Sequence, residues 1–533
     1  MTKSRDIASK QSDSGNSVAY GTSALAANTA GSSTAFGTFA LQTNTTGSAN
    51  TGVGYGALRY NTVGYNSTAV GNGALFNSTT GFNNTAVGYF AMLNNTIGAQ
   101  NVAVGSNALS SNTAAANNTA VGNSAMYVNT TGAQNAALGA GAMYANTTGG
   151  GNVAVGYQAL SANTTGNTNV AIGYNAMLAN TVGYNNVAVG QTALTANVTG
   201  WSNVAVGTGA LGTTTGGLNN TAVGNAALGL NNTSNNTAVG CIAMYYNTTG
   251  SYNTAVGYSA MLTNTIGSLN TAIGYNALYS NTTGGEATAI GEGAMYSHTT
   301  GIRNTAVGRL AMYNNTYGSQ NTAMGVAALN TNTTNSDNTA IGWYNLVATT
   351  GGSNTGLGSY TGTAVTTGAQ NTLLGMQAGY NGTNNLTTGS NNTVIGYFAA
   401  TSSSSVSNTV TLGNASIATL RCQVTSITAL SDARDKTDVE SIPVGLDFIN
   451  KLNPVTFTWN TRDGAKVGIK DTGFIAQELM ATEDEAELAE YLQLTYRDNP
   501  EKLEATQGRL IPILVKAVQE LSAKVAELEA KVN

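Results

Sequence analysis

The sequence predicts a mainly β fold: an elongated parallel β-solenoid of about 24 seventeen-residue coils, then a small α+β domain ending in a coiled-coil helix. Three observations predict it. A glycine closing an "AVG"-like phrase recurs 24 times between Gly21 and Gly413; most steps are 17 residues, three are 16 and one is 21. A short fixed period of this kind is the signature of a solenoid. Between residues 20 and 420 only six residues are charged (Arg59, Glu286, Glu292, Arg303, Arg309 and Asp337), whereas ordinary domains carry about 25% charge. Past residue 420 the text turns charged and non-repetitive, and it closes in heptads.

A chain of 533 residues with 41% hydrophobic side chains can bury a sizeable core. Its net charge of −5, with no basic stripe, leaves no electrostatic footprint for nucleic acid. Cys241 and Cys422 are far apart and form no metal or redox motif, so no metal and no cofactor is expected. The opening "MTKSRDIASKQ" lacks the apolar stretch of a signal peptide, and no run of 18 apolar residues follows. Synthesis in a cytoplasm, without membrane insertion, is the expectation. Residues 1–16, with Lys3, Arg5 and Lys10, read as a leader or an attachment peptide.

Residues 17–420 form the repeat. Its units are too short and too rich in Gly and β-branched residues for helical repeats. Each offers two short strand candidates, "NTAVG" and "xALxx", joined by "NTTG"-type turns that suit Gly and Asn in left-handed conformations. With strands about 4.8 Å apart, 24 coils would stack to roughly 110 Å. Three residues before the key Gly stands Thr (16 of 24) or Val (7 of 24), and one before it a bulky apolar residue. Alternation puts those two on one face, and Ala with the Asn four before the Gly (19 of 24) on the other. A strand restricted on both sides is covered on both sides, so one face should line the coil and the other meet a neighbouring chain. The Asn should stack as an amide ladder at a corner. Glu286 and Arg303 are 17 apart, as are Glu292 and Arg309, so stacking should pair them on the surface.

After residue 420 strands are expected at Val455–Trp459 and Thr472–Ile475, and helices at Val444–Lys451, Ala476–Ala489 and Leu510–Val532. In the last helix Ile511, Val518, Val525 and Val532 fall at heptad position a, and Leu514, Leu521 and Leu528 at d. This choice favours dimers in isolated peptides, but three heptads are short and the rest of the chain should set the state. Pro512 sits in the first turn, where it is tolerated.

Two resemblances bear on function. Phrases such as "NTAVGYSA" (253–260) and "NVAIGYNA" (169–176) look like the repeats in the head of YadA-like trimeric adhesins, which are parallel β-rolls that trimerise through an apolar face; the repeats here are longer. The segment with "SDARDK" (431–436), "LNPVTFTW" (452–459), "GFIAQEL" (473–479) and the terminal heptads resembles another family. It is the C-terminal intramolecular chaperone of phage endosialidases, tailspikes and tail fibres, found also in a eukaryotic myelin-regulatory transcription factor. That resemblance implies a homotrimer that cuts itself between Leu430 and Ser431, with Ser431 as nucleophile and Lys436 as base. Residues 421–430 would then be a linker and residues 431–533 the released piece, 103 residues long.

The chemistry is coherent, because a serine hydroxyl needs a base and a lysine serves when burial or cationic neighbours favour its neutral form. A repetitive parallel solenoid also has a use for a chaperone: its strands pair over sequence distance and can slip by a coil. The leading reading is a phage tail fibre or spike in the virion, made in the host cytoplasm, with a host-surface glycan or protein as receptor and other tail proteins as partners through the N-terminus. Trp201 and Trp343–Tyr344 are candidate sugar contacts. Glycan depolymerisation, which usually needs two close carboxylates, is the alternative, and an ice-binding solenoid a remoter one. A bacterial autotransporter is not expected, because no signal peptide or membrane barrel is read in the sequence.

Overall fold

The computed structural model describes residues 16–29, 31–417, 420–421, 431–461, 467–497, 499–501 and 503–532. The leader, Cys422, most of the 421–430 linker and Leu430 lie outside them. The chain divides into two compact units, residues 1–334 and 335–533. The first holds three-residue strands β1 (Val18–Tyr20) to β19 (Thr322–Met324); the second begins with five more, β20 (Thr339–Ile341) to β24 (Val410–Leu412). Within each unit every strand pairs in parallel with the next, in register: Thr68 lies beside Thr85, and Thr339 beside Thr355. The solenoid is therefore as its spacing predicts.

One coil, residues 89–105, shows why the sequence winds so tightly. Its strand, Val102–Val104, ends at Gly105, whose φ is 138°. A Cβ there would lie 2.4 Å from the Gly122 carbonyl oxygen of the next coil, so only glycine fits. The second strand candidate is instead a succession of turns, because Phe90 (φ 54°) and Met92 (φ 50°) are both left-handed. Left-handed backbone costs an L-residue about 1–2 kcal/mol. Full burial of a Leu or Met side chain is worth about 1.5–3 kcal/mol, and Met92 is fully buried. Burial wins, and the bend that carries Leu or Met inward recurs along the repeat, at Leu58, Met126 and Leu160 for example.

The small face points in. Ala91, Met92, Asn95, Asn101 and Ala103 line the narrow interior. The bulkier face points out: Val53, Ile172 and Leu138 are 36–52% exposed. Two amide ladders run through the interior where one was expected. In the expected one, Asn101 donates its backbone N–H to Asn84 Oδ1 (3.0 Å), and Asn84 Nδ2 reaches the Gly98 carbonyl (2.8 Å). In the other, Asn61 Nδ2 donates to Asn44 Oδ1 (2.7 Å) and to the Gly64 carbonyl (3.0 Å). Each ladder satisfies turn backbone that a coil this thin would otherwise strand.

The rest of the second unit is α+β. Strand β25 (Val455–Asn460) pairs antiparallel with β26 (Val467–Gly473), which ends before the Ile475 expected for it. Helix α1 is only Leu446–Ile449. The helix expected to run to Ala489 breaks into α2 (Ala476–Glu485) and α3 (Ala489–Leu492), because Glu487 turns left-handed (φ 55°). Helix α4 is Leu510–Val532, as the heptads predict. One side of α4 packs on the domain through Leu510 and Ile513, beside Phe448, Leu492 and Leu494. Higher up, Glu520 Oε2 accepts the Leu446 N–H at 2.7 Å and so caps α1. The a/d seam faces away, and its seven apolar residues are 44–86% exposed.

Candidate active site

Six residues, Ser431 to Lys436, form a closed loop around one 3-10 turn, Ala433–Asp435. Asp432 caps it. Its carboxylate accepts the Arg434 backbone N–H (2.9 Å) and Arg434 Nε (3.0 Å), and Arg434 Nη2 completes a forked ion pair. The Arg434 side-chain contact holds the Asp432 carboxyl below the usual carboxylate range, and the same pairing raises Arg434. At the far end the Lys436 N–H returns to the Ala433 carbonyl (3.3 Å). The turn brings Lys436 back over its own start: Nζ lies 2.6 Å from Ser431 Oγ and 3.3 Å from the Ser431 carbonyl oxygen.

Sequence spacing had put Ser431 and Lys436 within reach of one another, and they are in contact. The clamp of Asp432 and Arg434 was missed, although "D-x-R" ahead of a turn is a legible capping signal. The arrangement can pass a proton. An ammonium at Nζ donates to Oγ; a neutral amine accepts the Oγ–H instead, which makes the oxygen a nucleophile. Both side chains are exposed in the single chain.

The other motifs meet one another. Phe457 and Trp459 on β25 pack edge to face (5.0 Å), and Trp459 Nε1 donates to Asp471 Oδ2 on β26 (3.1 Å). Leu452 and Asn453 line one hollow with Phe474, Ile475 and Glu478, where Asn453 Nδ2 reaches Glu478 Oε2 at 3.3 Å.

In residues 16–334 both described acids are engaged. Glu286 pairs with Arg303 (3.0 Å) and Glu292 with Arg309 (3.2 Å), as the spacing predicts. Trp201 stacks on Tyr184 (5.6 Å, planes 4° apart), and Trp343 sits edge-on to Tyr344 and Tyr360. Cys241 is a free, exposed thiol. Among the described residues no group of three His, Cys, Asp or Glu side chains could hold a metal ion, and no helix is long and apolar enough to cross a membrane.

No curated protein and no solved structure matches the chain. Residues 431–487 match the family model described as chaperone of endosialidase, and they begin at Ser431 itself. Set behind a long parallel β-solenoid, this chaperone-of-endosialidase segment fits a fibre of the tailspike or endosialidase type.

Proposed function

We propose that the chain is a homotrimeric phage tail fibre or spike that attaches the virion to a host-surface glycan or protein, and that its C-terminal segment cuts itself free between Leu430 and Ser431. The observation that carries the cut is the 2.6 Å contact between Lys436 Nζ and Ser431 Oγ, inside the segment that matches the chaperone-of-endosialidase model. Ser431 Oγ attacks the Leu430 carbonyl carbon while its proton passes to Lys436 Nζ. The Leu430–Ser431 C–N bond then breaks, and the lysine returns the proton to the departing Ser431 nitrogen. The Leu430 acyl group, now an ester on Oγ, is hydrolysed by water.

Two unpartnered apolar surfaces support association of like chains: the a/d seam of α4 and the outward Thr/Val face of the strands. Packing between chains would also bury the exposed dyad and favour the neutral amine. Cleavage would then follow assembly, and loss of the chaperone would leave a fibre protected by its unfolding barrier. The test is the intact and native mass of purified protein. The expected result is a trimer lacking residues 431–533, with Ser431→Ala and Lys436→Ala both staying full length. Continued release of the 103-residue fragment from either variant would exclude the dyad, and a monomer would exclude the fibre.

A further inference from the structure

Arg59 differs from the other cations described in residues 16–334. Arg303 and Arg309 each hold a glutamate one coil away, and those two glutamates are the acids described in that unit. Arg59 has no carboxylate among the described residues. Its Nε donates to Gln42 Oε1 at 2.9 Å, and the two terminal nitrogens of the guanidinium make no hydrogen bond to the described residues. Aromatic rings hold the group in place. Its central carbon lies 4.5 Å from the Phe39 ring centre, 5.2 Å from Tyr60 and 5.5 Å from Phe76.

The rings brace one another as well. Tyr60 meets Phe76 edge to face at 5.2 Å, and Phe39 meets Tyr55 at 5.7 Å. Gly56 leaves the space that Phe76 fills, since a Cβ there would lie 2.8 Å from the ring. Tyr55 and Tyr60 are nonetheless 48% and 40% exposed. The setting is local: residues 36–90 carry nine aromatic side chains and residues 91–126 none.

We propose that Arg59 and its ring collar form a subsite for the carboxylate of an acidic sugar. A guanidinium with its Nε anchored presents its terminal N–H groups as a fork that matches a carboxylate bidentately. Exposed tyrosine faces beside it suit the apolar side of a pyranose ring, as aromatic side chains do for flat ligands generally. Buttressing on several sides pre-orders the arginine, so little side-chain freedom is lost when the ligand arrives. The subsite rests on the reading of this chain as an attachment fibre and narrows it to acidic surface polysaccharide.

The carboxylate can come from a hexuronic or a nonulosonic acid. Calorimetry on the full chain would therefore use an oligogalacturonate and a nonulosonate oligomer, each beside its methyl ester. At least one free acid binds, its ester binds tenfold or more weakly, and Arg59→Gln abolishes binding. Arg59→Lys, which keeps the charge and loses the fork, binds tenfold or more weakly; native mass confirms that both variants assemble. Equal binding of acid and ester, equal binding by Arg59→Gln, or binding of neither acid overturns the subsite. Competition for particle adsorption separates the two readings. Wild type and Arg59→Gln blocking equally well removes the subsite and leaves attachment standing. Wild type that binds the acid yet blocks nothing removes attachment alone.

Discussion

Lowering the pH from about 7 to about 5 acts on the interior of the solenoid through His298, the chain's one histidine. It occupies a slot of the second amide ladder and is fully buried. Nε2–H donates to the Gly301 carbonyl (2.9 Å), the bond an Asn Nδ2 makes elsewhere; Nδ1 accepts from Asn315 Nδ2 (3.2 Å), as an Oδ1 would. The ring is thus fixed as the neutral Nε2–H tautomer. A proton on Nδ1 would face the Asn315 amide, which is tied to the Gly318 carbonyl (3.0 Å). Burial, opposed by backbone hydrogen bonding at Gly301 and Asn315, lowers the imidazole from 6.5 to about 4. Because the folded value lies below the unfolded one, the unfolded chain binds more protons between them. The stability is whole above about 6.5, declines as pH falls through that window and levels off below about 4, with a total loss of about 3 kcal/mol, of which about 2 kcal/mol has gone by pH 5. The assay compares wild type with His298→Asn in denaturant midpoint, or in unfolding rate, from pH 7 to 4.5. Carboxylates titrate in both proteins and cancel, so wild type should lose about 2 kcal/mol relative to the variant by pH 5. A carbon-13 label at His Cε1 gives a single resonance to titrate. Parallel stability curves, or a titration midpoint near 6.5, would refute the burial of a neutral ring.

Three further outcomes follow from individual contacts. Ser78 interrupts the same ladder and leaves both its own Oγ and Asn61 Oδ1 without a partner among the described residues; Ser78→Asn restores the amide row and should stabilise by about 1–2 kcal/mol in denaturant midpoint, against no change if the ladder is incidental. Cysteines replacing Glu286 and Arg303, which touch across adjacent coils, should oxidise readily to a disulfide within one chain, whereas a stable pair of exposed thiols would contradict the stacking. Asn499→Ala removes the donor to Ser402 and Asn384 and should lower the fraction of chains that assemble and cut, read by gel from a timed expression; unchanged yield would leave that contact without a role in assembly.

The period was legible because glycine is obligatory at one place per coil, where a neighbouring carbonyl comes within 2.4 Å of any Cβ, as at Gly105. The inward face was not. Reading bulk as core would bury Val102 and Val104, yet the interior is so narrow that Ala103 fills it and the valines stay outside. The second strand failed for a related reason. "xALxx" has strand-like composition, but Leu and Met reach the interior only from left-handed backbone, an outcome that propensity disfavours and burial reverses. The second ladder had a signal, an Asn seven residues after the key Gly, that recurs with the period and was read only as turn chemistry. At the Ser431–Lys436 loop, proximity was readable from the spacing. Its cause, the Asp432–Arg434 clamp, required the three-dimensional path of the turn.

Regularity makes the solenoid easy to extend and easy to misalign. A shift by one coil sets Thr against Thr and Ala against Ala, so neither the strand register nor the Asn rows penalise it. Residues 335–533 contain a place where the degeneracy ends. The step from Gly375 to Gly396 is 21 residues, and its extra loop is closed on itself by Asn381 Oδ1, which accepts the Thr383 and Asn384 N–H groups. Asn499, between the short strands β27 (Thr495–Tyr496) and β28 (Glu504–Ala505), donates Nδ2 to the Ser402 carbonyl (2.9 Å) and to Asn384 Oδ1 (3.3 Å). The segment C-terminal to the solenoid therefore touches a coil that no other coil duplicates. If the segment gathers chains and starts them level, as proposed, it gains more from one such landmark than from any number of identical rungs, since the landmark makes the wrong alignment cost something.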